Sequence, residues 1–245
     1  MSAADVGVII VAAGSSTRTD GEELKQFRWI AGKPMLLHSL QTFQQRADVA
    51  MVVVVLPRQY AGDPPPWLFQ CDAERMLVSV GGRERSDSVR NGLEDIGDLA
   101  RIIAVHDAAR PLVSNAMIER VISEARKGHG AAPGLPVVDT LKRADKAGKV
   151  LETVDRSGLW RIQTPQAFPR EMLEQAHIEQ AHIEQAHIEQ AHIESAAADV
   201  AATDDASMCE RLGMEVVIVP GSERAIKITS ETDFALAEAL SILPE

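Results

Sequence analysis

The first half of the chain alternates short apolar runs with stretches of helical spacing. Val6 to Val11 is a continuous β-branched run followed by Gly14, the pattern of a strand buried on both faces of a parallel sheet. Leu36 to Phe43 has helical spacing after the punctuation of Gly32, Lys33 and Pro34. Met51 to Leu56 predicts a second buried strand ended by Pro57, and Asp63 to Pro66 marks a surface loop. A third strand is predicted over Met76 to Val80, stopped by Gly81 and Gly82, then a helix over Ser86 to Ile96. Ile102 to Val105 predicts a fourth strand with His106 and Asp107 at its C-terminal end, and Ile118 to Ala125 a further helix. This alternation predicts an α/β fold, a Rossmann-like, mostly parallel sheet with helices on both faces.

Beyond Pro136 the period changes. Thr140 to Val154 alternates polar and apolar residues around the turn-rich Asp145-Lys146-Ala147-Gly148. The pattern predicts a protruding β-hairpin arm over residues 137–157. An arm with so little core of its own is expected to pack on a second copy, giving a homodimer. The sheet is predicted to resume at Val216 to Val219 and at Ala225 to Ile228. Ser230 is expected to cap a final helix from Glu231 to Leu243, with Asp233 in the first turn where it suits the helix dipole.

Residues 175–194 are four tandem copies of Gln-Ala-His-Ile-Glu and hold four of the seven histidines. A metal-binding histidine array is one reading. Yet a five-residue step turns a helix by about 500°, a net of about 140° per copy, so successive histidines scatter around it. Zinc-binding helices favour i, i+4 spacing instead. The repeat is therefore expected to be a helical insertion that lengthens a solvent-exposed helix.

Composition narrows the function classes. A chain of 245 residues with 45% hydrophobic positions suits one large α/β domain. The N-terminus has no basic region followed by a secretory apolar stretch, and no run approaches the roughly 20 apolar residues of a membrane span. Cys71 and Cys209 make neither a disulfide framework nor a metal knuckle. These features lead to the expectation of a cytoplasmic protein with reduced thiols and no membrane partner. A net charge of −11 and only 4% aromatic residues argue against nucleic-acid binding. A locally basic pocket for a small anion stays compatible with that total.

Five segments carry candidate chemistry. Ala12, Ala13 and Gly14 open a loop after the first strand, where exposed amides can cradle phosphate and Arg18 and Lys25 add positive charge. Neither the dinucleotide glycine pattern nor the Walker lysine is present, so alone the loop is as much a plain strand-to-helix turn as a ligand site. Gly81 to Ser88 brings two glycines, Arg83, Arg85 and two serines to the same sheet edge, or merely caps a helix. His106-Asp107-Ala108-Ala109-Arg110-Pro111 places a carboxylate at a strand tip, suited to hold Mg²⁺ above phosphate or simply to pair with Arg110. Thr140, Arg156 and Thr164, in and after the arm, suit a phosphorylated polyol but are singly unremarkable for hairpin residues. Lys227, flanked by apolar residues, either snorkels outward or enters the site as a second cationic clamp.

Taken together in their order and spacing, these motifs resemble the 2-C-methyl-D-erythritol 4-phosphate cytidylyltransferase family of the non-mevalonate isoprenoid pathway. The resemblance runs from about Val6 to Leu243. It rests on Ala-Ala-Gly, Lys25-Gln26, Gly-Gly-x-x-Arg-x-x-Ser, His-Asp-Ala-Ala-Arg-Pro, Asp-Thr-Leu-Lys-Arg, Thr-Val-Asp-Arg, Thr-Pro-Gln and Ile-Lys-Ile-Thr. It implies a single nucleotidyltransferase domain over 1–245 that transfers CMP from CTP to methylerythritol phosphate, with Mg²⁺. Ala12, Ala13, Gly14, Gly82, Arg85 and Ser88 would bind CTP, and Arg18 and Lys25 would stabilise charge at the α-phosphate. Asp107 would hold Mg²⁺ and contact substrate. Arg110, Thr140, Arg156, Thr164, Thr203 and Lys227 would serve the second substrate, Arg156 by reaching a partner's site through the arm. Leu24 stands where the family usually has proline, Ser16 and Thr17 depart from its loop pattern, and the repeat is not a family feature. The rivals are a ribitol-5-phosphate cytidylyltransferase, a nucleotide-binding protein without turnover, and a metal-storage or interaction protein built on the histidine repeat.

Overall fold

The computed structural model describes residues 4–14, 24–191 and 204–243, with side chains throughout except at 186–191. Arg18 and Thr203, with Ser16 and Thr17, lie outside the described residues. In chain order the strands are β1 (Val6–Val11), β2 (Trp29–Ile30), β3 (Lys33–Pro34), β4 (Val49–Leu56), β5 (Met76–Val80) and β6 (Ile102–Asp107). They continue with β7 (Gly130–Pro136), β8 (Leu141–Ala144), β9 (Val150–Val154), β10 (Trp160–Ile162), β11 (Gln166–Pro169) and β12 (Val216–Pro220). The helices are α1 (Met35–Gln44), α2 (Arg58–Ala61), α3 (Arg85–Ile96), α4 (Asn115–Ala125), α5 (Arg170–Ala191), α6 (Asp205–Arg211) and α7 (Glu231–Ile242).

Among the described residues the main sheet has eight strands, ordered β10-β7-β11-β6-β1-β4-β5 with β12 also on β7. β1 pairs in parallel with both β4 and β6, and β4 with β5. β10 and β11 run against their neighbours. The sheet is thus mostly parallel, and its apolar strands bury both faces. Val8, Ile10, Val52 and Val54 face one layer with Leu36, Leu40, Met117 and Val121 of α1 and α4. Ile9, Val53, Val55 and Val105 face the other, with Val89 and Leu93 of α3, Leu173 of α5 and Cys209 of α6. Each fully buried Val, Leu or Ile here contributes roughly 1.5–3 kcal/mol of transfer free energy. The layers decide where a site can form. The chain steps from β1 to β4 to β5 on one side, then returns to place β6 on the other side of β1. That reversal, beside β1, is where open α/β sheets leave a crevice for ligands.

Three sequence expectations need correction or addition. Ala225 to Ile228 is not a strand: its backbone is satisfied by other groups. Ile228 N–H donates to Ala109 O at 2.8 Å, and Ala225 O accepts from Arg110 Nη1 at 2.7 Å. The first copy of the repeat is not on a solvent-exposed helix. Leu173, Ala176, His177 and Gln180 are buried along one stripe of α5. The polar pair is tolerated because Asp205 contacts His177 and Arg211 donates to Gln180. Strand β7 has no apolar-run signature, since Gly130-Ala131-Ala132-Pro133-Gly134 is built of small residues. Crowding explains this: a Cβ on Gly134 would meet Ile218 at 2.8 Å.

The arm is a separate two-stranded sheet of β8 and β9. Its turn is closed by Asp145 N–H to Lys149 O at 3.0 Å, with Gly148 at φ +80°, a backbone conformation glycine adopts without cost. Cys71 and Cys209 are not disulfide-bonded. No helix among the described residues is long and apolar enough to cross a membrane.

Candidate active site

Three strand tips build one pocket. At the end of β1, Ala12 N–H donates to Val55 O at 2.9 Å, tying the loop to β4. The buried Gln26 then donates through Nε2 to Ala12 O at 2.6 Å, and more weakly to Gly14 O at 3.5 Å. At the end of β5, Gly81 N–H donates to Leu56 O at 2.7 Å. A Cβ on Gly81 would lie 2.2 Å from Ala13 Cβ, so glycine is what lets the two loops pass. Gly82 N–H donates to Ser88 Oγ at 3.2 Å, and Glu84 and Asp87 form a capping box on α3. The α3 N-terminus, with Arg85 and Ser88, therefore opens onto the same space.

At the end of β6 stands Asp107. Its Oδ2 meets Lys227 Nζ at 2.7 Å, and its Oδ1 meets Arg85 Nε at 3.4 Å. Arg85 reaches back through Nη1 to Asp205 Oδ2 at 2.6 Å. Lys25 Nζ donates to Ile228 O at 2.9 Å, which brings it beside Lys227. Burial alone would push the Asp107 carboxyl up, but Arg85 first and Lys227 next hold it well below the usual carboxylate range. Asp205 follows the same pattern, with burial opposed by Arg85 and His177. Both carboxylates are therefore ionised at neutral pH.

Behind Asp107, His106 is buried and its pKa is pushed down to about 4, chiefly by desolvation. The neutral ring has one consistent set of hydrogen bonds. Nε2–H donates to Arg110 O at 3.1 Å. The Thr164 hydroxyl donates to Nδ1 at 3.1 Å and accepts from Asp107 N–H at 3.0 Å. His106 is structural, and through Thr164 it fixes the backbone that presents Asp107.

The pocket has a volume of about 480 Å³. Its walls include Ala12, Ala13, Gly14 and Lys25 from the first loop, and Gly82, Arg85 and Ser88 from the second. Asp107 and Lys227 complete them. With Arg83 also present, cationic side chains outnumber the carboxylates of Glu84 and Asp107, a locally basic site in an acidic chain. The guanidinium of Arg85 has one corner, Nη2, that is buried and meets no hydrogen-bond partner among the described residues. Such a donor is costly unless something accepts from it.

Other nominated residues lie elsewhere. Thr164 is buried beneath the pocket, with its hydroxyl engaged as above. Arg110 turns away to Ala225 O and Ile162 O. Thr140 and Arg156 are exposed in and beside the arm, where Arg156 donates to Val138 O. Gln26, Gln166 and Asp205 had no role of their own in the sequence reading. Gln166 donates to Asp204 Oδ2 at 2.7 Å and accepts from Ala206 N–H at 3.0 Å, clamping the start of α6. Among the described residues no three His, Cys, Asp or Glu side chains are grouped to hold a metal ion. At the tip of β6 the pocket offers the Asp107 carboxylate.

This arrangement has counterparts. The family model for 2-C-methyl-D-erythritol 4-phosphate cytidylyltransferase matches residues 6–242. The chain belongs to this family. A 2-C-methyl-D-erythritol 4-phosphate cytidylyltransferase of Syntrophus aciditrophicus is 37% identical over 96% of this chain and 94% of its own length. One from Salinibacter ruber is 39% identical over 96% of this chain and 92% of its own. The crystal structure of the Thermus thermophilus enzyme of the same name superposes with a TM-score of 0.74 at 31% identity, covering 96% of this chain and 98% of that one. The α/β fold of this cytidylyltransferase family member is therefore family architecture.

Proposed function

We propose that the pocket binds CTP and that the enzyme transfers its CMP moiety to 2-C-methyl-D-erythritol 4-phosphate, giving 4-diphosphocytidyl-2-C-methyl-D-erythritol and pyrophosphate. The observation that carries this is the convergence of Arg85 and Lys227 on the ionised Asp107 carboxylate, with Lys25 lining the same pocket under two glycine-bearing strand-tip loops, in a chain of this family. A phosphate oxygen of the polyol substrate attacks the α-phosphorus of CTP, the bond from that phosphorus to the bridging oxygen breaks, and pyrophosphate carries away the electron pair. No covalent intermediate on the protein is needed. Lys25 and Lys227, with Arg18 by family resemblance, stabilise the charge that develops at the α-phosphate. The loop amides at Ala12 to Gly14, with Gly82, Arg85 and Ser88, hold the nucleotide.

Asp107 is a carboxylate kept charged inside an anion pocket, which fits the one or two carboxylates that Mg²⁺ takes alongside phosphate oxygens and water. When bound there, Mg²⁺ neutralises and templates the triphosphate. Thr164 serves by holding Asp107 in place. Thr140 and, by family resemblance, Thr203 serve the polyol phosphate side, Arg110 supports it by holding the Ala225 carbonyl of the segment that carries Lys227, and Arg156 completes that side from a second subunit through the arm of residues 137–157. Positioning of the two substrates supplies much of the rate. The test is pyrophosphate release with CTP and Mg²⁺, using methylerythritol phosphate and ribitol 5-phosphate in parallel. Faster release with methylerythritol phosphate is expected. Equal or greater release with ribitol 5-phosphate, or CTP binding without release, overturns the assignment.

A further inference from the structure

A buried polar chain runs from the first copy of the pentapeptide repeat into the pocket. His177 Nε2 meets Asp205 Oδ1 at 3.0 Å. Asp205 Oδ2 accepts from Arg85 Nη1 at 2.6 Å. His177 is 1% exposed and Asp205 is 0% exposed. A buried carboxylate is tolerated only when its oxygens are paired, and here one oxygen takes the guanidinium and the other the imidazole.

We propose that His177 and Asp205 are positioning residues that hold Arg85 aimed at the nucleotide. The proposal rests on the CTP reading of the pocket. Arg85 is gripped at two corners, Nη1 by Asp205 and Nε by Asp107. A planar guanidinium fixed at two corners presents its third in a set direction. That third corner is the buried Nη2 without a partner among the described residues, on a side chain that lines the pocket. Without the Asp205 contact, Arg85 is left with Asp107, which already pairs with Lys227. The nucleotide would then have to reorder the arginine on binding. The donation from His177 keeps the Asp205 carboxylate turned so that Oδ2 faces Arg85.

The repeat supplies its own control. His182 occupies the same place in the second copy, yet its side chain is 68% exposed and lies 3.6 Å from Glu179. The two histidines share their pentapeptide and differ only in what surrounds them. The 140° advance per copy explains why one turns inward and the next does not.

The experiment measures CTP affinity by calorimetry, and initial rates with CTP varied at saturating methylerythritol phosphate. It compares wild type with His177→Phe, His177→Gln, His182→Phe and Asp205→Asn. His177→Phe and Asp205→Asn should each raise Kd and KM for CTP by roughly tenfold, the scale seen when an outer hydrogen-bond partner of a metal ligand is removed. Their kcat and their KM for methylerythritol phosphate should stay near wild type. Gln offers an amide N–H where Nε2–H stood, so His177→Gln should restore CTP affinity, and His182→Phe should change nothing. Circular dichroism and thermal melts establish that each variant is folded. If His177→Phe does not fold, Asp205→Asn decides. Unchanged CTP affinity in a folded His177→Phe or Asp205→Asn protein overturns the proposal. Wild type that fails to transfer CMP overturns the catalytic reading instead, while the calorimetric arm still tests the arginine.

Discussion

His106 and Asp107 are neighbours with opposite demands. Asp107 must stay charged, and the adjoining cations keep it so, while His106 must stay neutral in an apolar surround. The histidine pKa falls from 6.5 to about 4 on folding, so between those values the unfolded chain binds the extra proton. Stability therefore rises with pH through that window and is lost as pH falls toward 4. One such proton gives a slope of at most about 1.4 kcal/mol per pH unit. The Asp107 pKa is depressed on folding too, but by the attraction of Arg85 and Lys227 rather than by desolvation, so its contribution is present above the unfolded carboxylate value and is lost at lower pH than the histidine window. Urea unfolding of the metal-free protein between pH 4.5 and 7 should show the histidine slope, to which His38, also lowered by burial, adds, and His106→Gln should make it shallower. Equal slopes in the two proteins would contradict the assignment. Lys25 makes a complementary case. Its side chain lines the pocket and reaches the Ile228 carbonyl after β12, and Lys25→Ala should keep the fold while turnover drops on the order of 10²–10³. Near-normal pyrophosphate release by that variant would refute the role.

Among the elements, β1, β4 and β6 are legible in the sequence because strands buried on both faces must be largely apolar, and the edge strand β5, with Leu77 and Val80 exposed, is legible as a short apolar run stopped by two glycines. The site residues at their tips follow from the same fact, since glycine or a charged residue directly after an apolar run is visible in one dimension. β7 is illegible because packing demanded small side chains that carry no strand signal. Ala225 to Ile228 misleads for the converse reason, an apolar segment whose backbone bonds to loops and side chains. His177 and Asp205 could not be paired by sequence reading: 28 residues separate them, and 120 separate Asp205 from Arg85. Only the docking of α5 and α6 on α3 brings the three together. Gly81 is an element junction with no room for a side chain. Ala at this position would press its methyl on Ala13, parting the β1 and β5 loops. Gly81→Ala should lower stability by about 1–3 kcal/mol and weaken CTP binding with it. Thermal melts with and without CTP measure both, and a variant with wild-type affinity would mean that the two loops are not jointly required.

At the scale of the whole molecule the arm is the unexplained part. A two-stranded hairpin is at best marginal alone in water, and among the described residues β8 and β9 pair only with each other. The segment nonetheless exposes Val138 at 66%, Val150 at 54% and Leu151 at 60%. A second copy would cover these residues and give Arg156 a site to reach. This predicts a dimer by sedimentation, and Leu151→Asp should shift it to monomer while the body stays folded. Mixing subunits tests the shared site directly. Lys25→Ala and Arg156→Ala proteins are each expected to be nearly inactive. If Arg156 works across the interface, a mixed dimer has one site with both native residues and one with neither. Random reassortment makes half of the dimers mixed, so about a quarter of wild-type activity should return. If Arg156 serves its own chain, every site in the mixture lacks one residue and no activity returns. Dimerisation and complementation can therefore fail separately, one through the exposed apolar face of the arm and the other through Arg156.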